Sequence, residues 1–169
     1  MTIAIVTDST ADIPMELAEK FNIQVVPNLL VIDGKSLEDG MEISRREFYK
    51  RLPGMKAMPS TATASAGRYE ELYTRLLEQG AGQILSIHAA STLSGIFNAA
   101  SIAARRFGEK VRVVDSRQVT LGLGFQVLEA AEAAARHERI EAILESLKAI
   151  QPRVRVIAML DTLDYVRRS

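Results

Sequence analysis

Hydrophobic and polar positions in this chain switch repeatedly between a strand-like and a helix-like period. Residues 2–7 form an apolar run that predicts a buried strand, and Asp12-Ile13-Pro14 then opens a helix over about 14–20, with Pro14 in the first turn. Residues 23–32 are β-branched and apolar and predict a second strand, closed by Asp33-Gly34 as a hairpin or tight turn. Ser44 and Glu47 have capping-box spacing for a short helix through Phe48, Tyr49 and Leu52, stopped by Pro53-Gly54. A loop through Pro59 leads to Ser65, the expected cap of a helix over about 66–79. That helix buries the stripe Tyr69, Leu72, Tyr73, Leu76 and Leu77 and ends at Gly80.

The alternation continues. The pattern predicts a strand over about 83–88, a helix over about 94–107, a strand over 111–114, and helices over about 119–136 and 139–149. Pro152 then precedes an apolar run, Val154–Met159, that predicts a last strand. Strands and helices in this order imply right-handed crossovers and an α/β fold, a three-layer domain with a mostly parallel sheet. Residues 1–150 are assigned to this domain. Residues 151–169 are read as the start of a following segment, because Asp161 to Ser169 looks like a helix that begins and does not finish. The expectation is a partial chain whose second domain is absent.

Composition sets limits. With 169 residues and 47% hydrophobic content the chain can bury a real core. Its 21 basic and 21 acidic residues cancel, so no general attraction to nucleic acid or to an anionic membrane is expected. Zero cysteines exclude disulfides and thiolate metal sites and agree with a cytoplasmic protein. No signal peptide is read at the N-terminus, and no apolar run reaches the roughly 18 residues of a membrane-spanning helix.

Small hydroxyl residues gather where strands are expected to end and helices to begin. They are Thr7-Asp8-Ser9-Thr10, Ser60-Thr61-Ala62-Thr63, Ser91-Thr92-Leu93-Ser94-Gly95 and Asp115-Ser116. In an open parallel sheet these strand ends form one edge with a crevice outside it, and helix N-termini beside hydroxyls favour an anion. The pattern predicts an anion-recognising rim. Each position also has a structural reading. Ser65 is an N-cap, Ser94 is a cap or a ligand contact, Thr61 is a turn residue or a ligand contact, and Asp8 and Asp115 are caps or loop anchors. Gly122-Leu123-Gly124 is followed by Val127 in place of a third glycine. It therefore reads as a place where backbone passes close by, and not as a nucleotide loop. His88 reads as a hydrogen-bonded structural residue, although it is also a candidate base for Ser86, Ser91 or Ser94. Arg45-Arg46 and Arg105-Arg106 read as helix surface charge.

Four motifs together resemble the amino-terminal half of the DegV family of bacterial fatty-acid-binding proteins. They are Val6 through Pro14, Pro59-Ser60-Thr61, Leu93-Ser94-Gly95 with Asn98, and Val114-Asp115-Ser116 followed by Gly122-Leu123-Gly124. The resemblance covers the whole chain in order and spacing. It implies two α/β domains with a long-chain fatty acid held between them and no further cofactor. Its carboxylate would be gripped by Thr61 and Ser94 and presented to a separate fatty acid kinase. The chain departs from the family pattern at Ala62, where a Ser is usual, and at His88, where a small hydroxyl residue is common. The family's Gly-Gly-Arg-Ile segment, which follows the equivalent of Tyr165, and the second domain after it are expected to be absent. A half-pocket of this kind is expected to leave apolar surface bare, with self-association as one outcome.

Three function classes follow. The favoured one is a lipid-binding carrier, for which no catalytic and no metal-ligating residues are assigned. The alternative is an enzyme, either a Ser94/His88 hydrolase or a phosphotransferase resembling the dihydroxyacetone kinase fold. A nucleic-acid regulator is the least supported.

Overall fold

In the computed structural model, residues 2–163 and 167 are described. Four strands form one parallel sheet in the order β2-β1-β6-β7. They are β1 (Ile3–Asp8), β2 (Gln24–Val26), β6 (Gln83–His88) and β7 (Val111–Asp115). β1 and β6 are the inner strands, and their near-continuous apolar runs suit strands covered on both faces. In β1, Ile5 and Val6 are buried, and so are Ile84, Leu85 and Ile87 in β6.

Helices cover both faces. On one side lie α3 (Ala66–Glu78) and α4 (Ile96–Ala104), packed on each other and on β6 and β7. On the other, α5 (Leu121–Ala135) lies against β1 and β6, and α6 (Ile140–Ile150) packs on α5. α1 (Met15–Lys20) completes the first crossover, with its neighbour Ile13 packed on the core. The expected stripe of α3 is buried at Tyr69, Leu72, Tyr73 and Leu76, and the Ser65 hydroxyl caps the helix by accepting from Arg68 N. Ser44 caps the short α2 (Arg45–Arg51) in the same way, accepting from Glu47 N. This is the three-layer α/β domain that the periodicity predicts.

A second sheet is the main departure. β3 (Leu29–Ile32), β4 (Lys35–Glu38) and β5 (Ser60–Ala62) form an antiparallel sheet in the order β4-β3-β5. The single strand expected over 23–32 is divided at Pro27-Asn28. Proline has no N–H to give to a ladder, and here the chain leaves the parallel sheet for the second one. Both Asp33 and Gly34 have positive φ, as a two-residue hairpin turn requires, and Ile32 faces Lys35 across it.

The strand expected over Val154–Met159 is not formed. Residues 154–160 join no ladder among the described residues. The Val154 carbonyl accepts from Gln118 Nε2 at 3.2 Å, and Val156 lies on Gly122. The segment therefore crosses the start of α5 and leaves Ile157 and Met159 exposed, without a strand partner. The helix expected from Asp161 to Ser169 falls mostly on residues outside those described.

Close approach explains one glycine. A Cβ on Gly124 would stand 2.4 Å from the Ala11 carbonyl oxygen, so α5 can lie against the Ser9–Ala11 turn only where no side chain intervenes. Gly124→Ala is expected to destabilise the fold by about 1–3 kcal/mol, because backbone and not a flexible side chain would have to move. Urea unfolding of the two proteins measures this, and equal midpoints would refute it.

Candidate functional site

The carboxyl ends of β1, β6 and β7 converge on one edge, where three polar anchors organise the loops. The first is Asp8, the last residue of β1 and fully buried. One carboxylate oxygen accepts from Thr10 N at 3.1 Å and from the Thr10 hydroxyl; the other accepts from Ala89 N at 3.3 Å and from His88 Nδ1 at 2.9 Å. Burial by itself would raise its pKa. The His88 hydrogen bond and attraction, with the bonds from Thr10 and Ala89, outweigh it and hold Asp8 below its ordinary value. Asp8 is thus the loop anchor expected from the sequence, capping the Ser9–Ala11 turn.

His88 continues the chain inward. Its Nε2 lies 2.7 Å from Ser86 Oγ, and Ser86 Oγ lies 2.8 Å from the Tyr73 hydroxyl. With the imidazole proton on Nδ1, each group donates once: Tyr73 to Ser86, Ser86 to Nε2, Nδ1 to Asp8. Ser86 and His88 alternate with apolar residues along β6 and both face α3. There the Tyr69 ring stands edge-on to the imidazole at 5.2 Å. Burial pushes the Tyr69 and Tyr73 phenols well above the ordinary tyrosine range, so both stay protonated. The order Ser–His–Asp resembles a hydrolytic triad, yet Asp8, Ser86 and His88 are all 0% exposed, which leaves no room for a substrate at Ser86. With Asp8 and Ser86 on its two nitrogens, His88 has none left for Ser91 or Ser94.

The second anchor is Asp115 at the end of β7, which accepts from Ser91 Oγ at 2.6 Å, from Ser91 N at 3.3 Å and from Arg117 N at 2.8 Å. The third was not foreseen: Arg45, read from the sequence as surface charge, donates to the Asp12 carboxylate and to the Ser9 carbonyl at 2.7 Å. It ties α2 to the turn after β1. Only its 36-residue separation from Ser9 concealed the pairing.

Thr61 and Ser94 are placed differently. Thr61 does not end a parallel strand: it lies within β5, paired with Leu30 in the antiparallel sheet, and is exposed. A run of three small residues gave no strand signal. Ser94 is half-buried in the turn before α4, one residue ahead of the N-cap Gly95, and its hydroxyl accepts from Ile96 N at 3.4 Å, a weak local contact. The fold nevertheless brings the two segments together. A Cβ built on Gly95 would lie 4.0 Å from the Thr63 methyl, so the end of β5 faces the Leu93-Ser94-Gly95 turn. Leu93 in this turn is exposed, as are Leu121 and Phe125 near the start of α5. A separate groove of about 750 Å³, between α1, β2 and the segment Asp39–Arg45, includes neither Thr61 nor Ser94 in its lining. No group of three His, Asp or Glu side chains that could hold a metal is present among the described residues. Nor, among them, is any helix long and apolar enough to cross a membrane.

The family described as "Uncharacterised protein, DegV family" matches residues 2–169. This chain belongs to the DegV family. It is 38% identical over 167 residues to a DegV domain-containing protein of Deinococcus radiodurans, covering 99% of this chain and 59% of that protein. A Caldanaerobacter subterraneus relative is 41% identical over 168 residues, with the same two coverages. Two solved DegV structures, each described as fatty acid binding, share the fold. The Thermus thermophilus protein has a TM-score of 0.85 at 34% identity, over 90% of this chain and 54% of that one. The Bacillus subtilis protein has a TM-score of 0.82 at 30% identity, over the same shares. The chain thus spans about three fifths of the length of the curated DegV relatives it matches.

The depressed Asp8 pKa has a consequence for stability. Its contribution is full above the ordinary value of 3.8 and is lost as pH falls through the lower folded value. Urea unfolding from pH 6 down to pH 2.5 is expected to show a steeper acid loss in the native sequence than in Asp8→Asn. Parallel curves would exclude a charged, paired Asp8.

Proposed function

We propose that this chain is the head-group portion of a fatty-acid carrier. Thr61 and Ser94 donate their hydroxyls to the ligand carboxylate, and the acyl tail lies over the apolar side chains beside them. The observation that carries this reading is the meeting of the β5 end with the Leu93-Ser94-Gly95 turn, at the edge of the sheet and next to exposed Leu93. Membership of a family that includes solved members described as fatty acid binding supports it.

Magnitudes divide the work. Each buried methylene contributes about 0.8 kcal/mol, so a long tail supplies on the order of 10 kcal/mol gross. A hydroxyl bonded to a carboxylate contributes about 1.5–3 kcal/mol. The tail gives most of the affinity, and the two hydroxyls fix where the carboxylate points. A carboxylate held at a loop edge is open to a second protein, which is the basis for proposing presentation to a separate fatty acid kinase in the cytoplasm. The second domain of the longer relatives would close over the tail. The carrier performs no chemistry of its own. The engagement of both His88 nitrogens supports that reading over a Ser94/His88 hydrolase.

Thr61→Ala and Ser94→Ala are each expected to weaken palmitate binding by about tenfold or more, as the loss of one hydroxyl–carboxylate bond implies, with folding intact. Isothermal titration measures this, and unchanged affinity in both variants would remove the site. Ester turnover that disappears in Ser94→Ala would instead make the protein a hydrolase. A chain that continues through a second domain is expected to bind palmitate more tightly than residues 1–169, because more methylenes leave water. Sedimentation run alongside tests whether the shorter chain pairs with itself to cover its exposed apolar residues. Equal affinity in a strictly monomeric short chain would show that the tail site is already whole.

A further inference from the structure

The Tyr73–Ser86–His88–Asp8 chain is too deeply buried for catalysis, yet it ends at the loop that carries Ser94. Asp8 Oδ2 receives both His88 Nδ1 and Ala89 N, so one carboxylate oxygen fixes the residue after the strand. The next residue, Ala90, is held by its N–H on the Gln118 carbonyl at 2.9 Å. The Ala90 carbonyl accepts from Leu93 N at 2.9 Å and from Ser94 N at 3.1 Å. The His88 carbonyl accepts from Ser116 N at 3.0 Å, which ties the same turn to the loop after β7. Among the described residues, the Ser94 hydroxyl has only the long Ile96 N contact to hold it, so its placement depends on the turn beneath it.

We infer that His88 is a positioning residue for the head-group site: by orienting Asp8, it fixes the Ala89–Ala90 turn and hence the Ser94 backbone and hydroxyl. The inference rests on the head-group reading above. The imidazole reaches Asp8 with Nδ1 and is braced from behind through Nε2 by Ser86 and Tyr73, with the Tyr69 ring against its face-to-edge side. This bracing selects the Asp8 oxygen that also receives Ala89 N. A side chain able to contact only Ser86 would keep the core filled and release that oxygen.

Two amide variants separate the roles. In His88→Asn the amide N–H stands near the Nδ1 position and keeps the bond to Asp8. In His88→Gln the amide oxygen stands near the Nε2 position and keeps accepting from Ser86, and no donor is left for Asp8. Palmitate affinity is measured for both, alone and combined with Ser94→Ala, together with thermal midpoints. His88→Asn is expected to bind within about twofold of the native sequence with a similar midpoint; His88→Gln is expected to bind about tenfold more weakly and to melt at a lower temperature, because Asp8 loses its imidazole partner. The tenfold loss is expected to vanish in the Ser94→Ala background, because a residue acting through Ser94 has nothing left to position. If His88→Gln does not fold, Asp8→Asn takes its place, with the same loss and the same dependence on Ser94 expected. Equal affinity of the Asn and Gln variants, or a loss that persists without Ser94, overturns the inference. If Ser94→Ala binds palmitate as the native sequence does, the role of Ser94 in the head-group site falls and the inference with it. A loss in Ser94→Ala alone removes only the role of His88.

Discussion

A buried carboxylate must be met by donors, and Asp8 is where this fold meets that constraint. The residue lies at the end of the inner strand β1, without solvent, and collects an imidazole, two backbone N–H groups and a hydroxyl. Those donors come from the turn after β1 and from the end of β6. Satisfying one charge therefore fixes two loops of the ligand-facing edge. Removing one partner would leave an uncompensated charge in the core, a loss of a kind that costs several kcal/mol. The position of Tyr73 on α3 and of Ser86 on β6 follows from the same demand, carried one hydrogen bond at a time into the apolar interior.

The edge is built by anchoring rather than by rigid secondary structure. Asp8 and Asp115 each hold the first turn of a neighbouring loop, and Arg45 reaches over from α2 to hold the turn after β1. In the proposed site neither acidic anchor is spent on the ligand, which suits an anion, since a bare carboxylate nearby would repel it. The hydroxyls left for the head group are Thr61 on an exposed strand and Ser94 on a supported turn. One is offered by a sheet outside the main domain layers, the other by the main sheet's own edge.

The parallel layers were legible because inner strands and amphipathic helices leave long periodic signals, as in residues 83–88 and in the Tyr69–Leu76 stripe of α3. The antiparallel sheet was not, apart from its Asp33-Gly34 turn. Its strands are three or four residues long and partly exposed, and β5 is made of Ser60, Thr61 and Ala62, which show no alternation. The run Val154–Met159 misled for the opposite reason. It has strand composition but crosses α5 at Gly122, where no strand is available to pair with it. Within the site, Asp8, Asp115 and the paired glycines could be read locally, because caps and close approaches leave local residue types. The bonds of His88 to Asp8 and of Arg45 to Ser9 could not, since they join residues 80 and 36 positions apart.

That separation also bears on how the protein comes to exist. β1 pairs with β2 early in the chain, but its other neighbour is β6, and Asp8 gains its imidazole only when residue 88 is in place. A nascent chain on the ribosome therefore carries its central strand half-paired and its key carboxylate still hydrated for most of the first ninety residues. The ordering of so long a loop must come before the contacts that reward it, which slows folding in proteins dominated by distant pairings. Until β6 docks, the open side of β1 is an apolar edge with unpaired backbone groups, the kind of surface on which other chains aggregate.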